Sequence, residues 1–92
     1  MVPVDQVMPE ALAEVLRRAP TTPEKVAFAW NVTVGPAVAR ATSVELHATT
    51  LRVQARDVSW QREVERSAGL IKRRLAMLLG DGVVRGIEVR LA

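Results

Sequence analysis

The residues able to perform acid–base or nucleophilic chemistry are few and poorly grouped in this sequence. The single histidine, His47, sits on the polar face of a predicted strand, with no second histidine or cysteine to share a metal ion. No serine lies in a Gly-x-Ser-x-Gly elbow, and Glu63 and Glu65 are two positions apart on a predicted helix, so their carboxylates point to different sides. No glycine-rich phosphate loop occurs. The sequence therefore predicts a protein that is not an enzyme and has no metal or cofactor.

Arginine is the residue type best suited to bind a ligand here. From residue 52 onward the chain has nine basic residues against five acidic ones, whereas the first 24 residues have four acidic and two basic. A basic C-terminal half suits a phosphate backbone or an acidic protein surface, although arginines also serve simply to solvate a surface. Contacts to phosphates would be weak, salt-sensitive and unselective for sequence. The predicted nucleic-acid surface comprises Arg52, Arg56, Arg62, Arg66, Arg73 and Arg90.

The aromatic residues argue against base stacking as a mode of binding. Phe28, Trp30 and Trp60 are the complete set, and all three are predicted to be in or near the core. Without an exposed aromatic platform, a reader of single-stranded nucleic acid is disfavoured. Trp60 keeps two interpretations, because at the start of a helix it can seal the edge of the sheet or remain partly exposed as an anchor for a partner.

The long helix predicted from Val58 to Leu79 has a second surface that core packing does not require. Its apolar residues recur every three or four positions and form one buried stripe. Three arginines lie on nearly the opposite side, with exposed apolar neighbours at Leu70 and Met77. Arginine beside apolar residues is common in protein interfaces, although the same arginines could merely keep the helix solvated. The predicted partner-binding residues are Trp60, Arg62, Arg66, Leu70 and Arg73.

The length and composition of the chain restrict the class of protein it can be. Ninety-two residues, about half of them hydrophobic and a quarter charged, predict one globular domain with a modest core. No apolar run approaches the roughly 20 residues needed to cross a bilayer, and the start of the chain lacks the pattern of a signal peptide. The chain has no cysteine, which excludes disulfides and fits a reducing compartment. We therefore expect a cytoplasmic protein without membrane contact or a small-molecule substrate.

Two helices are predicted before the first strand. Pro9 suits the first turn of a helix that ends at Arg18, with Leu12, Val15 and Leu16 on its buried face. Residues 22–25, Thr-Pro-Glu-Lys, are typical of a helix start, with a capping threonine, a proline at the first position and an acidic first turn. The pair at 35–36, Gly-Pro, predicts a bend in this second helix.

Strict alternation predicts an antiparallel hairpin from Val44 to Arg56, with a tight turn near residues 48–50 that lacks glycine. Ser59 is the expected cap of the long helix, and a last strand is expected to point Ile87, Val89 and Leu91 inward. The predicted fold is α+β in the order α-α-β-β-α-β, a three-stranded sheet with helices on one face. Residues 1–92 form one domain, with 1–21 an N-terminal helix and connection. The shared core is predicted to contain Trp30, Val53, Val64, Ile71, Leu75 and Ile87.

From Pro23 to Leu91 the chain resembles the DciA family of bacterial proteins associated with loading or operating the replicative DNA helicase. The resemblance rests on two spaced tryptophans, the Val34-Gly35 pair after the first, a Leu-x-Val strand at 51–53 before the second, and the Ile/Leu run that ends at Gly80. It implies a KH-like fold, contact with a DnaB-type helicase and some affinity for DNA. No Gly-x-x-Gly joins two helices here, so the nucleic-acid clamp of true KH domains is not implied.

The expected function is therefore a non-enzymatic accessory module that binds the replicative helicase, assists its loading in DNA replication and binds DNA weakly. Two alternatives stay open. One is a KH-like RNA-binding protein acting on structured RNA or the ribosome, and the other is a structural interaction domain without a nucleic-acid partner.

Overall fold

The structure, a computed structural model, describes residues 10–92. The predicted place of Pro9 in the first helical turn lies outside these residues. Three helices and three strands follow one another in the predicted order, α-α-β-β-α-β, and the fold is α+β. The elements are α1 (Glu10–Arg18), α2 (Pro23–Ala41), β1 (Thr42–His47), β2 (Thr50–Ala55), α3 (Val58–Leu79) and β3 (Gly86–Leu91).

The sheet has the strand order β1-β2-β3, so β2 is its central strand. It pairs antiparallel with β1 through a hairpin and parallel with β3. Leu51, Val53 and Ala55 of β2 are buried, whereas Arg52 and Gln54 between them are exposed. The alternation puts every helix on one face of the sheet and leaves the other face open, as predicted.

The core forms where α2 and α3 cover this inner face. Trp30, Val53, Val64, Ile71 and Leu75 are all buried, which confirms these five predicted core residues. Ile87, also predicted there, is only partly buried and packs against the cluster from β3. Leu91, predicted to point inward, is 50% exposed because it ends a strand at the edge of the sheet.

The predicted bend in α2 is confirmed at Gly35, whose φ of 83° and ψ of 171° are not helical. A hydrogen-bond relay joins the two halves of α2 across this kink. The indole Nε1 of Trp30 donates to Thr42 Oγ1 at 2.9 Å, and that hydroxyl donates to the Val38 carbonyl at 2.7 Å. The buried indole thereby satisfies its only polar group and ties the first half of α2 to the start of β1.

Two expectations about helix packing are wrong. In α1 the buried side carries Ala13 and part of Leu16, while Leu12 and Val15 are 51% and 66% exposed. The side of α1 that carries Ala13 and Leu16 is the one packed on the core, and Leu12 and Val15 lie outside this contact. Phe28 of α2, predicted in or near the core, is 47% exposed on the outer side of that helix.

The cap of α3 is Asp57, not Ser59. Asp57 has extended backbone angles and its carboxylate accepts a hydrogen bond from the Trp60 N–H at 3.0 Å. Because α3 begins at Val58, Ser59 already lies in the first turn, where its side chain cannot take the capping position.

Lys25 is a buried cation that holds α1 against α2. Its ammonium donates to the carbonyls of Arg17 at 3.3 Å and Ala19 at 2.6 Å, and so satisfies acceptors at the end of α1. Only 6% of the residue is exposed, and this burial lowers the pKa of Lys25 from its ordinary value of 10.5.

This lowered pKa makes stability depend on alkaline pH. Below the folded-state pKa both states hold the proton, and the burial penalty is fully present. Between the folded-state pKa and 10.5 the unfolded chain binds more protons, so the free energy of unfolding should rise with pH. Tyrosine and cysteine are absent, so little else titrates there. Urea unfolding should show this rise in the native chain and in Lys72→Met, which removes an exposed lysine. A rise of equal size in Lys25→Met would contradict the assignment.

The hairpin turn uses a non-glycine residue in the left-handed region. His47 pairs with Thr50, so Ala48 and Thr49 form a two-residue loop, and Ala48 has a φ of 53°. The Thr49 carbonyl accepts from the N–H groups of Arg85 at 2.7 Å and Gly86 at 3.2 Å, which links the loop to the start of β3.

Glycine at position 48 should relieve this backbone strain. A left-handed conformation disfavours an L-residue by about 1–2 kcal/mol, and glycine's extra freedom in the unfolded chain offsets only part of that. We expect Ala48→Gly to raise the free energy of unfolding by about 0.5–1 kcal/mol in urea denaturation. Thr49→Gly is the matched control and should be destabilising, since Thr49 has no positive φ. Destabilisation by Ala48→Gly would refute the strain.

Candidate nucleic-acid and partner interface

The outer face of α3 carries an exposed basic stripe. Val64, Ile71 and Leu75 turn towards the core, so the opposite side of the helix is left to solvent. Successive residues of a helix are about 100° apart, which aligns three exposed arginines along that side. We define the α3 stripe as Arg62, Arg66 and Arg73. The predicted grouping of these three residues is therefore present in the structure.

Exposed apolar side chains flank the stripe. Leu70 is 45% exposed and Met77 is 59% exposed, although both belong to a helix with a fully packed inner face. Gly69 lies along the same outer side, and a Cβ placed there would meet no atom within 4 Å. The surface is therefore shallow and accessible, and it combines guanidinium groups with apolar contact area, as protein interfaces often do.

The charge of the stripe is only partly neutralised. Arg66 forms an ion pair with Glu63 at 3.0 Å, with both side chains largely exposed. Such a pair contributes little energy and its guanidinium remains available. Within residues 10–92, no carboxylate lies within 4.0 Å of the Arg62 or Arg73 guanidinium.

Arg17 of α1 extends this basic surface and was not predicted from the sequence. Its Nη1 donates to the Met77 carbonyl at 3.1 Å, which holds the side chain beside the C-terminal part of α3. A shallow groove there is lined by Arg17, Arg73, Ala76, Met77 and Asp81. Only the docking of α1 on α3 brings Arg17 to this place, and periodicity within either helix carries no signal of that docking.

Trp60 does not lie on the same side of α3 as the stripe. It precedes Arg62 by two positions, so their directions differ by about 2 × 100°, or 200°. Trp60 is half-buried on the inward side, in line with Val64 and Ile71. The structure therefore brings together Arg62, Arg66, Leu70 and Arg73 of the predicted partner-binding set, and separates Trp60 from them.

The other predicted nucleic-acid residues belong to the open face of the sheet, which mixes arginines with glutamates. The strand register places Arg52 directly between Glu45 of β1 and Glu88 of β3. Arg90 forms an ion pair with Glu88, and His47 Nε2 lies 2.7 Å from Glu45 Oε1. Neighbouring carboxylates weaken the attraction of this face for a phosphate backbone.

The six predicted nucleic-acid residues therefore form two groups on opposite surfaces. Arg52, Arg56 and Arg90 belong to the open side of the sheet, and the α3 stripe lies on the outside of the helical layer. One flat contact cannot use both groups. Each group has one arginine in an ion pair, Arg66 with Glu63 and Arg90 with Glu88, so carboxylates alone do not separate them. The α3 stripe is the better candidate because the exposed apolar side chains of Leu70 and Met77 flank it and Arg17 extends it.

Two negative observations apply to the described part of the chain. No group of three or more histidine, cysteine, aspartate or glutamate side chains among residues 10–92 is placed to hold a metal ion. No helix in this part of the chain has both the length and the apolar character needed to cross a membrane.

The division into two groups predicts unequal effects on DNA binding. Replacing Arg66 and Arg73 by glutamine should weaken binding and lower the slope of log affinity against log salt by about two, because two phosphate contacts are lost. The matched pair Arg52→Gln/Arg56→Gln should change the slope much less. Fluorescence anisotropy with labelled single- and double-stranded DNA at several salt concentrations would measure both. A larger effect of the sheet-face pair would contradict the assignment.

No protein-family model matches this chain, and no curated protein or solved structure matches it either. The resemblance to the DciA family therefore depends on the residues quoted for it. What supports a function beyond that resemblance is the geometry of residues 10–92.

Proposed function

We propose that this chain is a cytoplasmic, non-enzymatic accessory module that binds a DnaB-type replicative DNA helicase, assists its loading, and binds DNA weakly. The observation that carries the proposal is the α3 stripe with its apolar neighbours Leu70 and Met77. The α+β arrangement agrees with the fold that the resemblance implies. The sheet supports α3, because the inner side of this helix packs on it.

The outer side of α3 carries residue types that solubility alone does not require. A helix face that only needs to be soluble is well served by alternating Lys and Glu pairs, which stabilise the helix by themselves. Here the exposed side of α3 has Glu63, Glu65 and Lys72 beside the three arginines, but it also has a glycine and two exposed apolar side chains, which solubility does not require. Arginine suits protein interfaces because its planar guanidinium binds a carboxylate through two parallel hydrogen bonds and stacks on aromatic faces. The complementary surface on the helicase would combine acidic residues with an apolar patch.

Weak DNA binding would use the same guanidinium groups. In the described residues the stripe has no exposed aromatic ring beside it, so the contacts would be to phosphates and not to bases. Because helicase and DNA would share the stripe, each should weaken the binding of the other. This arrangement suits a protein that delivers a helicase to DNA and then leaves.

Charge reversal on the stripe tests the helicase contact. We expect Arg66→Glu/Arg73→Glu to weaken binding to the helicase of the same organism by roughly tenfold or more, as expected for arginines in an interface. Arg56→Glu/Arg85→Glu makes the same change of charge at exposed sites outside the stripe, and should stay within about twofold. Isothermal titration calorimetry gives both values, and thermal midpoints show whether each variant is folded.

Each result of this experiment tests a different part of the proposal. Equal loss in both variants would mean that net charge, not the stripe, determines binding. Unchanged affinity of the stripe variant would exclude this surface. Absence of binding by the native chain would exclude the helicase as partner, and binding to structured RNA in its place would support the RNA alternative.

A further inference from the structure

Within residues 10–92, no strand pairs with the outer edge of β1, which carries main-chain groups. The Arg56 N–H donates to the Ala41 carbonyl at 2.9 Å, which identifies 41 and 56 as a hydrogen-bonded pair of the antiparallel ladder. Hydrogen-bonded pairs recur every second residue, so Ser43, Glu45 and His47 bond to β2. The main-chain groups of Thr42, Val44 and Leu46 must therefore point away from β2. Of these, the Thr42 N–H is satisfied by the Ala39 carbonyl at the end of α2.

The opposite edge of the sheet is better protected. The Ala92 N–H donates to the Ala55 carbonyl at 2.8 Å, so by the parallel register Glu88 and Arg90 bond to β2, and Ile87 and Val89 face outward. Gln61 Nε2 of α3 lies 3.5 Å from the Val89 carbonyl and covers this edge. Among residues 10–92 no side chain donates to, or accepts from, the outward main-chain groups of Val44 and Leu46.

An apolar groove accompanies the β1 edge on the helical side. It lies between the start of α2 and β1, and is lined mainly by Thr21, Thr22, Pro23, Val26, Val44 and Leu46. A strand added to β1 would place every second side chain on this side, beside the groove. Both the main-chain groups and the groove therefore suit the same kind of occupant, an extended segment.

The sequence of β1 favours pairing with itself. In an antiparallel pair centred on Val44, Ser43 of each copy stands opposite Glu45 of the other, so a hydroxyl donor meets a carboxylate. Shifting the centre to residue 45 places Glu45 against Glu45, which is repulsive. Shifting it to Leu46 requires Ala48 in an extended conformation, but its φ of 53° ends the strand. Shifting it to Ser43 pairs Val44 with Thr42, whose N–H is already bonded to Ala39, and leaves Leu46 opposite no residue of the strand. The register centred on Val44 therefore forms the most main-chain hydrogen bonds.

We propose that β1 pairs with β1 of a second copy of this chain, antiparallel and centred on Val44, to form a continuous sheet across a two-fold axis. Main-chain hydrogen bonds form at the Val44–Val44 pair and between the Leu46 N–H of each copy and the Thr42 carbonyl of the other. Side chains of Val44 and Leu46 meet at the grooves. Because α3 packs over β2 and β3, the α3 stripe stays open in the dimer, and this inference does not depend on the proposed function.

The contact is small, so the dimer should be weak and concentration-dependent. Light scattering during size-exclusion chromatography should give a mass that rises from 10.1 kDa towards twice that value between about 10 μM and about 1 mM. Val44→Pro removes an outward N–H without removing a bond to β2, and should stay at 10.1 kDa throughout. Ile87→Pro removes an outward N–H from the opposite edge and should dimerise like the native chain.

A cross-linking experiment tests the register and does not depend on proline tolerance. The chain has no cysteine, so Ser43→Cys and Glu45→Cys each introduce a single thiol. Under mild oxidation, a mixture of the two variants should form the mixed disulfide much faster than either forms a disulfide with itself. A native chain that is monomeric at all these concentrations would overturn the proposal, as would cross-linking without preference for the mixed pair. So would a Val44→Pro variant that is folded and still dimerises.

Discussion

The burial of one side of α3 against α2 and the inner face of the sheet is the interaction on which the rest of this structure depends. Leu51 and Val53 of β2 are almost completely inaccessible, and α3 supplies Val64, Ile71 and Leu75 to the same cluster. Each fully buried aliphatic side chain contributes about 1.5–3 kcal/mol, so this contact outweighs any surface interaction in the chain. It also determines the direction of every outward residue of α3. The arginines of α3 face solvent because the opposite, apolar side of the helix is packed against the sheet.

The same packing explains which parts of the fold could be predicted from the sequence. Period-two alternation in β1 and β2, and the period of 3.6 in α3, each reflect one buried face, and the structure has the predicted order and layers. The Gly35-Pro36 pair predicted the kink, because few other pairs of residues adopt the non-helical backbone angles found there. The packing of short elements was harder to predict. In α1, apolar periodicity suggested a wider buried face, but only Ala13 and part of Leu16 are buried, and Leu12 and Val15 are exposed.

The candidate site was predictable within one element and not between elements. The relative directions of Arg62, Arg66 and Arg73 follow from helix geometry alone. That Arg17 joins them depends on how α1 docks, and that Arg52 lies between two glutamates depends on strand register. The position of Trp60 shows the same limit, since nearness in sequence suggested a shared surface, and the rotation between residues 60 and 62 separates them. The predicted cap, Ser59, was wrong for a local reason, because serine and aspartate both suit the position before a helix and the structure uses Asp57.

The structure thus separates three surfaces with different physical properties. Within residues 10–92, the outer side of α3 is rich in arginine and partly apolar, the open face of the sheet mixes arginines with glutamates, and the outer edge of β1 has main-chain groups without a partner strand. Lys25 and the Trp30 relay lie beneath these surfaces, where they join α1, α2 and β1. A chain of this size can therefore hold one partner on its helical layer without using its sheet.

Site-specific photo-cross-linking tests the central claim, that the outer side of α3 is the contact with the helicase. Gly69 is at the middle of the stripe with open space beside it, and a cysteine there can carry a benzophenone group, since the chain has no other thiol. Gln54→Cys on the open face of the sheet is the control. If the outer side of α3 binds the helicase, a covalent product with the helicase should form from position 69 and not from position 54. A product from position 54 alone, or from neither position, would contradict it.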